Sequence, residues 1–226
     1  MKVVLTGSTG FIGREVLRQC LESPGITSII ALSRKELPTS VASNPKLKAV
    51  VVDDFLSYPD SLLEELRDTD ACIWSLGKAF MSDNEVARKI NIDYILAAAK
   101  AFSQVSSQGE QKKKKKIRFV YVSGAMVERD QSKSLWVAGE YRRIRGQVEN
   151  ELLAHAKEHQ DTFGAYIVRP AMVLSEGMNL RRFVFGFGPN VKLGSLTAVM
   201  LHLARNGNGP CILDNSDINR LHAELG

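Results

Sequence analysis

Hydrophobic residues along the chain follow two alternating patterns, short apolar runs and longer segments with helical spacing. Apolar runs without polar alternation are typical of strands that are buried on both faces of a parallel sheet. The predicted strands are residues 2–6, 28–33, 48–52, 71–75, 117–122 and 165–168. Helical spacing recurs in residues 14–21, 59–67, 84–103, 139–159 and 196–204. Strands that alternate with helices predict an α/β fold, a doubly wound and mostly parallel sheet with helices on both faces.

The turn after the first strand carries the glycines Gly7, Gly10 and Gly13, spaced three residues apart. In a strand–turn–helix unit, such glycines allow the tight turn, the approach of backbone N–H groups to a pyrophosphate, and close helix–strand packing. The N-terminus of the following helix adds further N–H groups that can bind an anion. Isolated glycine patterns also occur in plain turns. The prediction of a dinucleotide site therefore depends on the strand before the glycines and the helix after them. The predicted dinucleotide-binding segment is Gly7, Ser8, Thr9, Gly10, Phe11, Ile12 and Gly13.

The end of the second predicted strand bears on which dinucleotide is bound. An acidic residue about twenty positions beyond the turn accepts from the ribose 2′-hydroxyl of NAD, whereas a basic residue pairs with the 2′-phosphate of NADP. This chain has Arg34 there and no acid, which favours NADP, with NAD as the alternative. Arg34 could instead begin an exposed loop. At the end of the third strand, Asp53 could accept from the adenine amino group or cap the following turn, and the sequence leaves both open.

Two further strand ends are expected to face the nicotinamide. Leu76 and Gly77 follow the fourth strand, at the switch point of the sheet where cofactors lie, and Pro170 follows the sixth strand. We therefore add these three residues to the predicted cofactor site.

Candidate catalytic residues arrive at the same edge of the sheet. Ser123 follows the fifth strand, and Tyr141 and Arg145 lie four residues apart in a predicted helix. An unperturbed tyrosine hydroxyl titrates near pH 10, so a tyrosine that acts as acid and base near neutrality needs a neighbouring cation. Ser123 could hold a substrate oxygen while Tyr141 passes the proton. The alternative is a plain strand-end serine and an ordinary tyrosine–arginine pair on a helix surface.

The segments GSTGFIG, YVSGA and VRPAMV, together with Tyr141-x-x-x-Arg145-Gly146, resemble the short-chain dehydrogenase/reductase superfamily over essentially the whole chain. The strand-end Arg34 and the closing ILDNSDI resemble its atypical members, grouped with Tat-interacting-protein-like, NmrA-like and nucleotide-sugar-epimerase-like proteins. The resemblance implies a Rossmann fold that binds NADP, with Ser123 and Tyr141 as the catalytic serine and tyrosine. It also implies that Asn91 helps to order the active-site water or lysine. One position departs from the family, because Arg145 stands where the family has lysine.

Composition limits the other classes of function. The formal charge of +5 equals the contribution of the five consecutive lysines at 112–116, so the rest of the chain is formally neutral and no nucleic-acid partner is expected. We interpret residues 104–116 as a polar, lysine-rich loop that is exposed to solvent. The alternative is that this loop binds the surface of an anionic membrane. The three cysteines and four histidines are too scattered for a metal site. No run is long enough to span a membrane and no cleavable leader is evident, so a cytoplasmic location is expected.

The length of 226 residues is that of one domain, with residues 176–226 as a short substrate-side extension. The leading functional hypothesis is an NADP-dependent oxidoreductase that acts on a small, apolar carbonyl or alcohol. Apolar residues in the presumed pocket loops, Trp136, Met178 and residues 183–187, indicate the apolar substrate. The alternatives are a catalytically impaired dinucleotide-binding regulator or scaffold, and a redox-neutral isomerase or epimerase. The sequence also allows a homodimer.

Overall fold

The computed structural model of the chain describes residues 1–77, 83–107, 115–175 and 188–226. Within these residues the strands are β1 (Lys2–Thr6), β2 (Ser28–Ser33), β3 (Leu47–Val51), β4 (Ala71–Trp74), β5 (Ile117–Val122), β6 (Phe163–Arg169), β7 (Met172–Leu174), β8 (Asn190–Lys192) and β9 (Ile212–Asp214). Seven of them form one parallel sheet in the order β3-β2-β1-β4-β5-β6-β9, and β7 pairs with β8 separately. The strand order reverses between β1 and β4, which places the switch point of the sheet beside the glycine turn.

Helices cover both faces of this sheet, which confirms the predicted fold class. They are α1 (Phe11–Glu22), α2 (Thr39–Ala42), α3 (Asp60–Glu65), α4 (Asn84–Arg88), α5 (Tyr94–Ser107), α6 (Gly139–Glu158), α7 (Leu193–Asn206) and α8 (Asn215–Leu225). A π-helical turn, Lys89–Asp93, joins α4 to α5. Among the described residues, no helix is both long and apolar enough to cross a membrane.

The core consists of two hydrophobic clusters, one on each face of the sheet. Beneath α5 and α6, the fully buried rings of Trp74 and Phe119 stack with their centroids 5.8 Å apart, and Phe163 lies 5.4 Å from Phe119. Beneath α1 and α7, smaller aliphatic side chains such as Val16 and Met200 fill the space against the sheet. Since both faces are packed, side chains can meet a ligand only at the edges of the sheet.

The largest differences between the structure and the sequence-based expectation lie in two stretches. The predicted helix over 84–103 is interrupted by the π-helical turn and continues to Ser107, into the segment predicted to be a loop. Residues 188–226, predicted to belong to a substrate-side extension, supply α7 to the core and β9 as the seventh strand of the sheet. At three residues, Ile212–Asp214 is too short to show an apolar run in the sequence.

The end of the lysine run is tied to the sheet at the edge opposite the glycine turn. Lys115 forms an ion pair with Asp70, whose side chain is 6% exposed. The same carboxylate accepts a hydrogen bond from the backbone N–H of Lys2 at 2.7 Å, and the Lys115 carbonyl accepts from Ser106 Oγ at 2.7 Å. Lys115 thus joins the starts of β1 and β4 to the end of α5, while residues 112–114 lie outside the described residues.

This contact predicts that Lys115 contributes to stability. We expect Lys115→Met to lower the free energy of unfolding by about 1 kcal/mol, because it takes the charged partner from a buried carboxylate. Lys48→Met is the matched control, since Lys48 pairs with the exposed Glu65 and its loss should leave urea unfolding nearly unchanged. Equal losses for both variants would contradict the assignment.

Candidate functional site

In the turn between β1 and α1, two of the three glycines leave no room for a side chain. Gly7 has a φ of +70°, and a Cβ there would lie 2.6 Å from the carbonyl oxygen of Ser75 at the end of β4. A Cβ at Gly13 would lie 2.0 Å from the carbonyl oxygen of Gly7. At Gly10 the space is less restricted, with the Gly7 oxygen 3.2 Å from the same position. The first and third glycines are therefore required by the packing of the turn itself. For the second, the approach of a phosphate stays a prediction.

The N-terminus of α1 has the features of an anion site. Its first residue follows Gly10, which supplies no side-chain cap, and its first turn contains no acidic residue. The first N–H groups of a helix lack partners within the helix and carry its positive dipole end. Beside them, the hydroxyl of Ser8 is buried and has no hydrogen-bond partner among the described residues. These donors fit the pyrophosphate of a dinucleotide, as the sequence predicts.

The cationic residues near this turn are exposed. Arg34 lies just after β2, and it makes no ion pair within the described part of the chain. Arg14, in the first turn of α1, is also exposed and likewise unpaired among the described residues. Sequence reasoning missed Arg14, although a cation in the first turn is unfavourable towards the helix dipole and thereby signals an anionic partner.

The turn after β3 is capped by Asp54, the neighbour of Asp53. The carboxylate of Asp54 accepts from the backbone N–H of Leu56 at 3.1 Å, so Asp54 caps the turn after β3. Asp53 is exposed and takes no part in that cap. The adenine contact of Asp53 stays a prediction.

Gly77 and Asn91 meet at the end of β4. Gly77 has a φ of +150°, and a Cβ there would lie 3.6 Å from Asn91 Oδ1. Asn91 is 1% exposed and lies in the π-helical turn, where its Nδ2 donates to the Ala87 carbonyl at 2.8 Å. Single π-helical turns within α-helices are frequent at functional sites, and this one directs the Asn91 amide towards the sheet edge.

Arg145 connects the candidate catalytic residues. One terminal nitrogen, Nη1, donates to the Tyr141 hydroxyl at 3.1 Å and lies 3.5 Å from Asn91 Oδ1. The other, Nη2, donates to the carbonyl of Val122 at 2.9 Å, at the last residue of β5. Burial lowers the pKa of Arg145, but the Tyr121 and Tyr141 phenols raise it, and the net direction is upward. The guanidinium thus keeps its charge beside Tyr141.

Ser123 has a different partner from the one that the sequence suggested. It is 5% exposed, and its hydroxyl donates to Glu149 Oε1 at 2.6 Å. Glu149 is fully buried and forms an ion pair with Arg169, which also reaches Asp214 at 3.3 Å. The hydrogen bond with Glu149 raises the pKa of Arg169. Sequence reasoning missed Glu149. The signal that could have found it is spacing, because Glu149 lies two helical turns beyond Tyr141 and on the same face of the helix.

The loops around this edge are joined and carry exposed apolar side chains. The Pro170 carbonyl accepts from the Ala125 N–H at 3.0 Å, which ties the chain after β5 to the chain after β6. Met126 is 64%, Trp136 100% and Val137 69% exposed. Met178 and residues 183–187, predicted to line the pocket, lie outside the described residues, as do 78–82. Among the described residues, no cluster of histidine, cysteine and acidic side chains could hold a metal ion.

Fold and turn together place the chain among the dinucleotide-binding α/β proteins. The chain belongs to the NAD(P)H-binding family, whose sequence pattern matches residues 7–184. The prediction that it binds NAD(P) is thereby confirmed.

Two similar proteins come from fungi. Leucinostatins biosynthesis cluster protein T of Purpureocillium lilacinum is 32% identical over 124 residues, which are 54% of this chain and 42% of that protein. The chain therefore spans less than half of that relative. Protein fmp52, mitochondrial, of Aspergillus clavatus is 25% identical over 206 residues, covering 85% of this chain and 77% of that protein.

Solved structures share the fold. Gre2 from Candida albicans in complex with NADPH has a TM-score of 0.69 at 14% identity, covering 95% of this chain and 77% of that chain. A short chain dehydrogenase from Burkholderia cenocepacia in complex with NADP has a TM-score of 0.69 at 17% identity, covering 99% and 96%. At these identities the likeness concerns the fold alone, and it confirms the predicted Rossmann architecture.

The turn geometry predicts that its glycines are needed for different reasons. Gly13→Ala should lower the free energy of unfolding by about 1–3 kcal/mol, because its Cβ would overlap the Gly7 carbonyl. Gly10→Ala should cost little stability but weaken NADPH binding about tenfold, since the methyl group stands where the phosphate approaches. Urea unfolding and calorimetric titration measure the two effects.

Gly124→Ala is the stability control, because a Cβ at Gly124 meets no atom within 4 Å. Unaltered NADPH affinity in Gly10→Ala would remove the turn from the phosphate site.

Proposed function

We propose that this protein is an NADP-dependent oxidoreductase of the atypical short-chain type, which transfers hydride to or from a small, apolar carbonyl or alcohol. The observation that carries the proposal is the Arg145 contact with the Tyr141 hydroxyl at 3.1 Å, at the sheet edge that also bears the glycine turn. The bound nicotinamide would supply or accept the hydride. Tyr141 would hold the proton that goes to the substrate oxygen, and the Arg145 cation would stabilise the phenolate left behind.

The residues around the turn support NADP as the preferred dinucleotide. Arg34 and Arg14 offer two exposed guanidinium groups without partners among the described residues, and guanidinium pairs with phosphate through two parallel hydrogen bonds. Asp53 would accept from the adenine amino group. Gly77 and Pro170 would line the nicotinamide, with Leu76 beside them.

Exposed apolar side chains support the apolar substrate. Met126, Trp136 and Val137 lie in the segment that connects β5 to α6, between the two elements that bear the candidate catalytic residues. A ligand at this edge would bury some of that surface, and each buried Å² of apolar surface contributes about 25 cal/mol.

One alternative function has an observation in its favour. Because a guanidinium does not deprotonate, Arg145 cannot pass a proton as the lysine of the resembling family could. A protein that binds the dinucleotide and signals or scaffolds through its bound state would keep every contact described above and lose only turnover.

Location and assembly stay predictions. We propose a cytoplasmic protein, whereas the Aspergillus relative is named as a mitochondrial protein. Fractionation of cells that express the tagged protein would distinguish the cytoplasmic from the mitochondrial location. Recovery of the protein in the mitochondrial fraction would contradict the proposal. Light scattering would test the homodimer.

The proposal predicts that NADPH turnover depends on Tyr141. Tyr141→Phe should keep NADPH affinity and lose about 10²–10⁴ in kcat with a panel of aldehydes, ketones and quinones, because it removes only the proton donor. Arg145→Lys is the informative second variant. Turnover that is absent in the natural protein and gained in Arg145→Lys would favour the binding-protein alternative.

A second prediction concerns the choice of dinucleotide. Arg34→Asp should weaken NADPH binding about tenfold or more, since a charge-assisted hydrogen bond to phosphate contributes about 1.5–3 kcal/mol. NADH binding, measured in the same calorimetric series, is the internal control and should change far less. An equal loss for both dinucleotides would remove Arg34 from the 2′-phosphate.

A further inference from the structure

The segment that joins β5 to α6 carries the three most exposed large apolar side chains of the described residues. Trp136 is 100%, Val137 69% and Met126 64% exposed, and no other described large apolar side chain is more than half exposed. Isolated apolar side chains on a surface are common, but several in one segment indicate a surface that another molecule covers.

The backbone places Trp136 and Val137 at the tip of a tight turn. A Cβ at Gly139, the first residue of α6, would lie 3.0 Å from the Cβ of Leu135, so the chain returns on itself within these residues. Ala138, in the same turn, has a φ of +49°, in the left-handed region that few residues other than glycine adopt. Because Trp136 is fully exposed, this tip projects from the described structure and does not line a cleft.

Cationic side chains lie near the base of this tip. Lys133 pairs with Glu128 at 2.7 Å, and the side chain of the lysine is 57% exposed, whereas that of the glutamate is 15% exposed. Glu140 is shared by two cations, Arg88 at 2.7 Å and Arg143 at 3.0 Å. These contacts withdraw the acids into ion pairs and leave positive charge facing the solvent.

The remaining charges of the segment keep this sign. Arg142 Nε donates to the Met126 carbonyl at 2.6 Å, and its guanidinium forms no ion pair within the described part of the chain. Asp130 is likewise outside any ion pair of the described residues, but it follows the exposed Arg129. Residues 126–143 together contain four cationic and three acidic side chains.

A lipid surface fits this projecting tip better than a protein or a small molecule does. A stable protein interface buries about 800 Å² on each partner, whereas a buried tryptophan contributes only about 150–250 Å². Small molecules bind in concave pockets. A lipid surface needs no matching shape, tryptophan is enriched where membranes meet water, and cations beside the inserted side chains are attracted to anionic headgroups.

We propose that residues 126–143 form a membrane-docking surface, in which Trp136 and Val137 enter the interface of an anionic bilayer and Lys133 and Arg142 contact its headgroups. The lysine run precedes β5 and this surface follows it, so the two lie at opposite ends of that strand. The inference goes beyond the proposed function and does not depend on the reaction. Apolar side chains of the same segment also support the apolar substrate, and the test separates the two uses.

The test uses the tryptophan fluorescence of the full chain. The chain has two tryptophans, and Trp74 is fully buried, so an emission shift on adding vesicles reports Trp136. Vesicles of equimolar phosphatidylcholine and phosphatidylserine should move the emission to shorter wavelength, because the indole leaves water, and the protein should sediment with them. Vesicles of phosphatidylcholine alone should bind more weakly, and added salt should weaken binding to the anionic vesicles.

Two variants with matched controls test the apolar and the charged part of the surface. Trp136→Ala should lower the partition coefficient in sedimentation about tenfold, since it removes most of the inserted apolar area. Leu225→Ala removes an exposed apolar side chain elsewhere and should leave the coefficient unchanged. Lys133→Gln should lower binding to the anionic vesicles about fivefold. Its control is Lys48→Gln, because Lys48 is similarly exposed and pairs with Glu65 away from this surface.

The outcomes distinguish the membrane from other partners. Anionic vesicles that neither bind nor shift the emission would overturn the inference, and so would binding that survives Trp136→Ala. Loss of such surviving binding when lysines 112–114 are replaced by glutamine would assign the contact to the lysine run.

Two other results would assign Trp136 to a different partner and overturn the docking role. A shift that grows with protein concentration in the absence of vesicles would show that a second copy covers Trp136. A shift with cyclohexanone in the presence of NADPH, and none with vesicles, would place Trp136 in the substrate pocket. Since vesicle binding requires no turnover, the membrane role and the proposed reductase can fail independently.

Discussion

The guanidinium of Arg145 is the interaction on which the geometry of this sheet edge depends. It is the only described side chain that contacts Tyr141, Asn91 and the end of β5 together, and these belong to three separate elements. Charge-assisted hydrogen bonds of this kind contribute about 1.5–3 kcal/mol each, and they must offset the cost of withdrawing the charge from water. The Nε of Arg145 has no partner among the described residues, so the hydrogen bonds of its two terminal nitrogens must offset this desolvation cost. The planar fork of arginine suits this task, since two terminal nitrogens can reach two neighbouring oxygens at once.

A second constraint acts at the other side of the switch point. The Ser75 hydroxyl donates to the Thr6 carbonyl at 2.7 Å and so draws the ends of β1 and β4 together. The glycines of the turn allow this closeness, since any side chain at Gly7 or Gly13 would overlap backbone atoms. The glycine turn and the end of β4, where we propose that the phosphates and the nicotinamide bind, are thereby held on neighbouring strands of the sheet.

Much of this arrangement could be predicted from the sequence because it depends on local patterns. Apolar runs, helical spacing and glycine spacing are each properties of a few consecutive residues, and they gave the sheet, the helices and the turn. The partner of Ser123 could not be predicted in that way, because it depends on Glu149 and on Arg169, which lie on a helix and a strand far along the chain. The seventh strand, Ile212–Asp214, was missed for the same reason, since pairing with β6 rather than its own pattern makes it a strand. Tyr141 and Arg145 were found together because their contact is an i, i+4 pair.

The presence of arginine at position 145 also changes what the rest of the site must do. A guanidinium can stabilise a phenolate but cannot replace its proton, so a catalytic Tyr141 must be reprotonated by another group or by water. Glu149 does not meet this need, because its carboxylate is committed to Arg169 and to Ser123. Water could serve as the source, because Tyr141, unlike Glu149, is partly exposed. An active site built on these contacts would therefore keep its positive charge on Arg145 and exchange the Tyr141 proton with solvent. In the family that the chain resembles, one lysine performs both tasks.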